Sequence, residues 1–109
     1  MPWEHYLLPL LDYRIRVEWK VERGRLLSWA VQLEWLDPEE GRFVWVARYD
    51  TAGGLPHRDR NRIARHEPMP HLSPTSGGDL NRARDDLLAR AWEYIEAYKA
   101  AKAEGREAW

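Results

Sequence analysis

Three runs of alternating apolar and polar residues constrain the fold of this chain more than any other feature. They span residues 13–21, 27–35 and 43–49, and short polar segments separate them. Strict alternation is typical of a strand that buries one face and exposes the other. Because the connections are too short for a crossover, the three runs predict an antiparallel meander with one apolar face.

Turn lengths and the apolar pattern together predict the register of both hairpins. A three-residue loop at 23–25 pairs position 22 with position 26, and residues 37–41 form the second loop. A one-residue slip would turn every apolar side chain to the polar face. The predicted opposed pairs are Trp19–Trp29, Val17–Val31, Ile15–Leu33 and Tyr13–Trp35 in the first hairpin, and Trp35–Phe43, Leu33–Trp45, Val31–Ala47 and Trp29–Tyr49 in the second.

The C-terminal third of the chain supplies a cover for this apolar face. From Asp79, a predicted N-cap after Gly77 and Gly78, the chain runs without proline or glycine to Gly105. Apolar residues recur in this stretch at spacings of three and four, as in an amphipathic helix. The sequence therefore predicts an α+β fold, with a three- to four-stranded antiparallel meander covered on one face by one long C-terminal helix.

A chain of 109 residues has room for one domain. We predict an N-terminal apolar arm at 1–11, a single domain at 12–104 and a tail at 105–109. The arm is interpreted as a short helical turn or irregular segment, or else as a dimer contact. A long loop at 51–78 contains four prolines and four glycines, which is typical of a functional or partly disordered connection. Within this loop, the sequence of residues 62–67 predicts a short fourth strand.

Composition excludes several classes of function. The net charge is −1, so any site for nucleic acid is a local patch and not a whole-protein basic field. Cysteine is absent, which excludes disulfides and thiolate chemistry and agrees with a cytoplasmic location. No apolar stretch is long enough to cross a bilayer, so we expect no membrane association. The seven tryptophans fall mainly on predicted buried faces and are assigned to the core, with Tyr49 at its rim.

The segment 48–62 gathers the candidate catalytic residues. The end of the third strand places Arg48 and Asp50 on the outer face of the sheet. A Gly-Gly turn can then fold His57, Arg58 and Asp59 back towards them. An acid, a base and an anion-binding group would converge there. The predicted catalytic residues are therefore Arg48, Asp50, His57 and Arg58.

Together with His66 or Tyr49, this set suffices for metal-independent cleavage of RNA. His57, or His66 brought in by loop folding, takes the proton of the 2′-hydroxyl. A second histidine or Tyr49 protonates the leaving oxygen. Arg48 or Arg58 stabilises the negative charge that develops on the phosphoryl group.

A plainer interpretation of the same residues is also open. Arg48 and Glu18 share a cross-strand row on the outer face, which favours an ordinary ion pair. Asp50 can cap the turn that follows it. In this interpretation the segment stabilises the fold and has no catalytic role.

Arginines concentrate in the same loop. Four arginines and one acidic residue lie between positions 58 and 65, a local charge of +3 that suits a phosphate backbone. The predicted nucleic-acid-binding residues are Arg58, Arg60, Arg62 and Arg65.

We predict no cofactor and no metal site. Imidazole together with carboxylate suits zinc and other divalent ions. However, the available side chains do not fall at any recognised ligand spacing. The residues considered are Asp50, His57, Asp59, His66 and His71.

One segment resembles a known family. The third strand ends in Arg-Tyr-Asp-x-Ala at 48–52, and Pro-His follows at 56–57. This pattern over residues 43–60, together with the β-meander and the closing helix, is similar to the small prokaryotic toxins of the TumE-like group. The resemblance implies a toxin–antitoxin pair with an operon-encoded protein partner, and action on RNA or translation.

Two functions from different classes follow from the sequence. The first is a non-catalytic binding module that recognises a protein partner or nucleic acid through the Arg/His loop or the C-terminal helix. The second is the toxin-like, metal-independent RNase. Because the outermost strands leave open sheet edges, we also expect a homodimer, with Trp3, Tyr6 and Leu7 as candidate contacts.

Overall fold

The structure, a computed structural model, describes residues 3–10 and 12–109. Within these residues it contains one six-stranded antiparallel sheet and two helices. The strands follow one another across the sheet in chain order, so each strand pairs with its neighbours in sequence. The elements are β1 Glu4–Leu10, β2 Tyr13–Glu22, β3 Arg25–Asp37, β4 Arg42–Asp50, β5 His57–Arg60, β6 Ala64–Pro68, α1 Gly77–Ala89 and α2 Ala91–Ala103.

The α+β class with an antiparallel sheet is confirmed, but the predicted count of three to four strands is wrong. The predicted loop at 51–78 contains β5 and β6, and β6 overlaps the strand predicted at 62–67. β5 was not predicted because its sequence, His-Arg-Asp-Arg, has no apolar residue to alternate with its polar ones.

The predicted arm at 1–11 is also a strand. Its described residues form β1, which pairs with β2 along its whole length, while residues 1, 2 and 11 lie outside the described part of the chain. As an edge strand β1 is mostly exposed, so it lacks the alternating apolar pattern of a half-buried strand. Trp3, Tyr6 and Leu7 are all exposed, and their role in a dimer stays a prediction.

The register predicted for the first hairpin is confirmed at all four apolar pairs, although the predicted loop at 23–25 is wrong. Arg23 and Gly24 form a two-residue turn, and their φ values of 51° and 75° fit a type I′ turn. A register shift between Lys20 and Val21 places one extra residue on β3. This bulge restores the apolar pairing that the shorter turn would otherwise have reversed.

The register predicted for the second hairpin is wrong, and none of its four predicted pairs forms. Leu33 pairs with Ala47, but the next residue, Glu34, pairs with Trp45, so β4 carries one extra residue. A bulge of this kind changes which face the following side chains occupy. Trp45, predicted in the core, therefore lies on the outer face with Glu34, and Val46 is buried.

Two helices replace the single predicted helix. Ser76, and not Asp79, is the N-cap of α1, and its hydroxyl accepts the Asp79 backbone N–H at 3.1 Å. Arg90, with φ −111° and ψ 20°, separates α1 from α2. On either side of this residue, α1 packs on β3 and α2 packs on β4. Among the described residues, neither helix has the length and apolar character needed to cross a membrane.

The core lies between the helices and the inner face of the sheet. Its largest fully buried side chain is Trp29, whose indole N–H donates to the Ser73 carbonyl at 3.0 Å. The Thr51 hydroxyl hydrogen-bonds both the backbone N–H and the carbonyl of Trp29, each at 2.9 Å. The prediction that tryptophans lie in the core holds for Trp29 and Trp35, whereas Trp92 is 48% exposed.

The tail predicted at 105–109 packs against the sheet. The backbone N–H of Trp109 donates to Asn61 Oδ1 at 3.0 Å, beyond the end of β5. The Trp109 carbonyl accepts the indole N–H of Trp45 at 2.9 Å. The segment therefore carries Trp109 from the helical layer to the outer face of the sheet.

Candidate functional site

The outer face of the sheet brings together three of the four predicted catalytic residues. Arg48 of β4 pairs with Asp59 of β5. Two residues further along β4, Asp50 pairs with His57. A Gly-Gly turn with φ values of 78° and 133° makes this return possible. Arg48, Asp50 and His57 are thus neighbours, as predicted, while their catalytic roles remain predictions.

Arg58 lies on the opposite, inner face, because side chains alternate along β5. Its guanidinium donates to Glu67 at 3.0 Å and to the Tyr94 hydroxyl at 3.0 Å. Tyr49 belongs to the same inner-face network, since its hydroxyl and that of Tyr94 both donate to Asp86, at 2.7 and 2.5 Å. The structure therefore separates Arg58 and Tyr49 from the histidines by the thickness of the sheet.

The inner-face tyrosines are structural donors. Burial raises the pKa of Tyr49 and of Tyr94, and their hydrogen bonds to Asp86 raise both further. Burial also raises the pKa of Asp86, but hydrogen bonds from the two tyrosines and Arg90 outweigh it and hold that pKa below its usual range. At neutral pH the Asp86 carboxylate thus accepts hydrogen bonds from two protonated tyrosine hydroxyls.

Two histidines meet at Asp59 on the outer face. His57 Nε2 lies 3.1 Å from Asp59 Oδ2, and His66 Nδ1 lies 3.7 Å from Asp59 Oδ1. The two imidazole rings pack edge to face with centroids 4.9 Å apart. The loop therefore folds His66 towards His57, as the RNase hypothesis requires of its second histidine.

The plainer interpretation of Arg48 and Asp50 is confirmed as geometry. Arg48 contacts Glu18 at 3.4 Å, Gln32 at 3.3 Å and Asp50 at 3.1 Å. The other oxygen of Asp50 accepts the Ala52 backbone N–H at 2.8 Å and so caps the turn. These long contacts hold Arg48 in place on the outer face of the sheet.

The four arginines predicted to bind nucleic acid do not form one patch. Arg58 and Arg60 both donate to Glu67 on the inner side. Arg62 donates to the Arg106 carbonyl at the end of the helical layer. Arg65 alone of the four reaches the outer face, where its guanidinium lies 4.6 Å from the centre of the Trp109 ring.

A groove of about 400 Å³ runs along this face. It is lined by Trp45 and Trp109 and by polar residues that include Arg48, Arg65 and His66. Trp45 and Trp109 also line a second concavity, of about 390 Å³. The residues that line the first groove are Gln32, Trp45, Arg48, Asp59, Arg65, His66 and Trp109.

Sequence reasoning missed Trp45 and Trp109 as site residues, and it considered Asp59 as one of five candidate metal ligands. Asp59 lies two positions from His57 on a strand and therefore shares its face. Trp45 carried no usable signal, since the bulge that exposes it leaves the alternation of the sequence unbroken. Trp109 reaches the groove through tertiary contacts of the tail.

Beside the groove, Glu34 is buried at the centre of a polar network. Its carboxylate accepts from Arg14 at 2.6 Å, from Arg16 at 2.9 Å and from Gln32 at 2.6 Å. Burial raises the pKa of Glu34, but the hydrogen bonds from Arg16, Arg14 and Gln32 outweigh it and lower that pKa overall. The network holds these outer-face side chains in place next to Trp45.

Glu34→Gln is expected to flatten the acid limb of the stability profile. The folded pKa of Glu34 lies below the ordinary 4.5. Its contribution to the free energy of unfolding is therefore present above that value and lost as the pH falls through the folded pKa. Urea unfolding at neutral and successively more acidic pH measures this, with the exposed Glu107→Gln as control. An acid limb as steep in Glu34→Gln as in the wild type contradicts the assignment.

The fold and the groove define a class of protein, a small α+β domain whose meander sheet is covered by helices on one face and open on the other. The chain belongs to the family described as a domain of unknown function, DUF7718, whose family model matches residues 1–104. Comparison with the curated proteins and with the solved structures gives no significant match.

Proposed function

We propose that this protein is a non-catalytic binding module that holds single-stranded RNA in the groove on the outer face of its sheet. The observation that supports this most strongly is the grouping of Trp45, Trp109 and Arg65 around a concave strip of open sheet. Aromatic rings and arginine planes on an open sheet are the surfaces on which unpaired bases stack.

The polar side chains of the groove suit the rest of a nucleotide. Arg48 and Arg65 supply cations for phosphate oxygens. Gln32 and Asp59 supply oxygens that can accept a hydrogen bond from a ribose 2′-hydroxyl. Tryptophan and arginine are also enriched in protein–protein interfaces, so the binding measurement below decides between RNA and a protein partner.

The charge of the protein predicts a weak dependence of binding on salt. The net charge is −1, so the protein attracts RNA only through local contacts. If Arg48 and Arg65 each neutralise one phosphate, the slope of log K against log salt is about −1.4. A slope several times steeper would indicate that cations outside the groove carry the binding.

Trp45→Ala is expected to weaken binding of a fluorescently labelled single-stranded RNA by about 10- to 100-fold, because each stacked base contributes ~1–3 kcal/mol. Fluorescence anisotropy measures the affinity. Trp92→Ala, which removes a half-exposed indole from the helical layer, is the matched control and is expected to bind as the wild type does.

Two results contradict the proposal. One is a wild-type protein that leaves the anisotropy of the RNA unchanged, which directs the search to a protein partner. The other is an equal loss of affinity in Trp45→Ala and Trp92→Ala, which means that the groove does not specifically carry the binding.

A second candidate function, the metal-independent RNase of a toxin–antitoxin pair, is favoured by one observation. His57 and His66 lie with ring centroids 4.9 Å apart, and Arg48 is on the neighbouring strand. One imidazole can take the 2′-hydroxyl proton while the other protonates the leaving 5′-oxygen. Cleavage of RNA that continues in EDTA and disappears in His57→Gln supports it, and intact RNA excludes it under those conditions.

A further inference from the structure

We propose that His57, Asp59 and His66 form a binding site for a divalent transition-metal ion, and that Zn²⁺ is its occupant. The three residues each offer one ligand atom on the same outer face, two imidazole nitrogens and one carboxylate oxygen. This donor set suits zinc better than the oxygen-loving Mg²⁺ or Ca²⁺.

The distances fit a metal site that needs little movement. The three ligand atoms all lie within 4.8 Å of one another. In a tetrahedral zinc site, Zn–N bonds of ~2.0–2.1 Å place neighbouring ligand atoms about 3.3 Å apart. Side-chain torsions alone can supply the remaining contraction, because His66 is exposed and its ring is free to turn.

The hydrogen bond on the far side of the His57 ring orients its metal-binding nitrogen. His57 Nδ1 lies 3.3 Å from the Leu55 carbonyl, which can only accept, so the tautomer with its proton on Nδ1 makes this contact a hydrogen bond. That tautomer leaves a lone pair on Nε2, which faces Asp59 Oδ2 at 3.1 Å. Either a proton or a metal ion between these two atoms makes the contact favourable. A carbonyl behind a ligating histidine is also the usual arrangement in metal sites.

The backbone holds the third ligand in position. A register shift between Arg58 and Arg60 leaves Asp59 without a direct partner on β6. The backbone N–H of His66 donates instead to Asp59 Oδ1 at 2.7 Å, and His66 has a φ of 52°. The bulge therefore turns the His66 side chain towards the carboxylate.

The charged side chains around the three ligands are compatible with a bound cation. Two arginines lie near the site: Arg48, which pairs with Asp59 across the strands, and Arg65, which lines the same groove. Glu18 and Asp50, at 3.4 and 3.1 Å from Arg48, offset part of its charge. With three protein ligands, the site keeps at least one coordination position for water or an anionic ligand. Asp59 and His66 also line the groove, so that position opens towards it.

Calorimetric titration of the metal-free, full-length protein with ZnCl₂, in the absence of RNA, tests the proposal independently of RNA binding. We expect one Zn²⁺ per chain. His57→Gln and His66→Asn are each expected to weaken Zn²⁺ binding by at least about 100-fold, since even changes behind a ligand cost ~10- to 100-fold. Asn at position 66 tolerates the positive φ of that residue.

His71→Gln is the matched control, because His71 is exposed and outside the cluster. It is expected to bind as the wild type does, and circular dichroism confirms that each variant is folded. Co²⁺ provides a second readout, a visible absorption band that the two site variants lose. A folded wild type that takes up no stoichiometric Zn²⁺, or equal affinity in His57→Gln and the wild type, overturns the proposal.

Discussion

Trp29→Ala is expected to lower the free energy of unfolding by about 3–5 kcal/mol. The side chain is fully buried, and its removal leaves a cavity between β3 and the helices. It also leaves the Ser73 carbonyl without its indole donor. Since a domain of this size is stable by only ~5–15 kcal/mol, the variant should unfold at much lower urea. Circular dichroism during urea titration measures the change.

Trp92→Ala is the matched control for this experiment. The Trp92 side chain is 48% exposed and packs against Tyr13 only at its edge. We expect its loss to cost about 1 kcal/mol or less, as for most surface substitutions. Equal destabilisation by the two variants would mean that the core does not centre on Trp29.

Asp86→Ala is expected to cost about 2–4 kcal/mol, because it removes a shared acceptor and leaves buried donors without one. Both tyrosine hydroxyls of the inner-face network donate to this carboxylate. Tyr49 and Tyr94 are at most 7% exposed, so water cannot replace the lost acceptor in the folded state. Arg90 loses its ion pair with Asp86 as well.

Asp85→Ala provides a closely matched control, since it deletes the adjacent carboxylate from the same helix. The Asp85 side chain is 67% exposed, and among the residues that the structure describes it pairs with Arg84 alone. An exposed pair of this kind contributes about 0–1 kcal/mol. If Asp85→Ala and Asp86→Ala have equal midpoints in urea, the tyrosine–carboxylate network does not stabilise the fold.

The centre of the sheet was predictable because burial of one face imposes a period of two. In β2 and β3 that period is strict, and the pairing from Trp19–Trp29 to Tyr13–Trp35 follows from it. The predicted pairing formed even though the turn was shorter than predicted, because a bulge corrected the register. The length and residues of a turn can vary when burial of the apolar face determines the strand register.

The edges of the sheet and the helix break were not predictable in the same way. β1 and β5 bury too little surface to leave a periodic pattern in the sequence. The break at Arg90 occurs without proline or glycine, so no residue type in the sequence marks it. Both features depend on the tertiary structure more than on local propensity.

The candidate site was predictable only in part for a similar reason. The turn chemistry of Gly53 and Gly54 and the alternation of β4 placed Arg48, Asp50 and His57 correctly. The same alternation puts Arg58 on the inner face, which becomes clear only once β5 is recognised as a strand. The approach of the two histidines depends on the bulge between β5 and β6.

We propose that the open outer face of the sheet, and not the helical layer, binds RNA. Nuclear magnetic resonance of the ¹⁵N-labelled protein tests this proposal, because each of the seven tryptophans gives one indole N–H signal. On addition of single-stranded RNA, we expect the Trp45 and Trp109 signals to shift and those of Trp29 and Trp92 to stay in place. Shifts confined to Trp92, or no shift at any indole, would show that RNA does not bind the outer face.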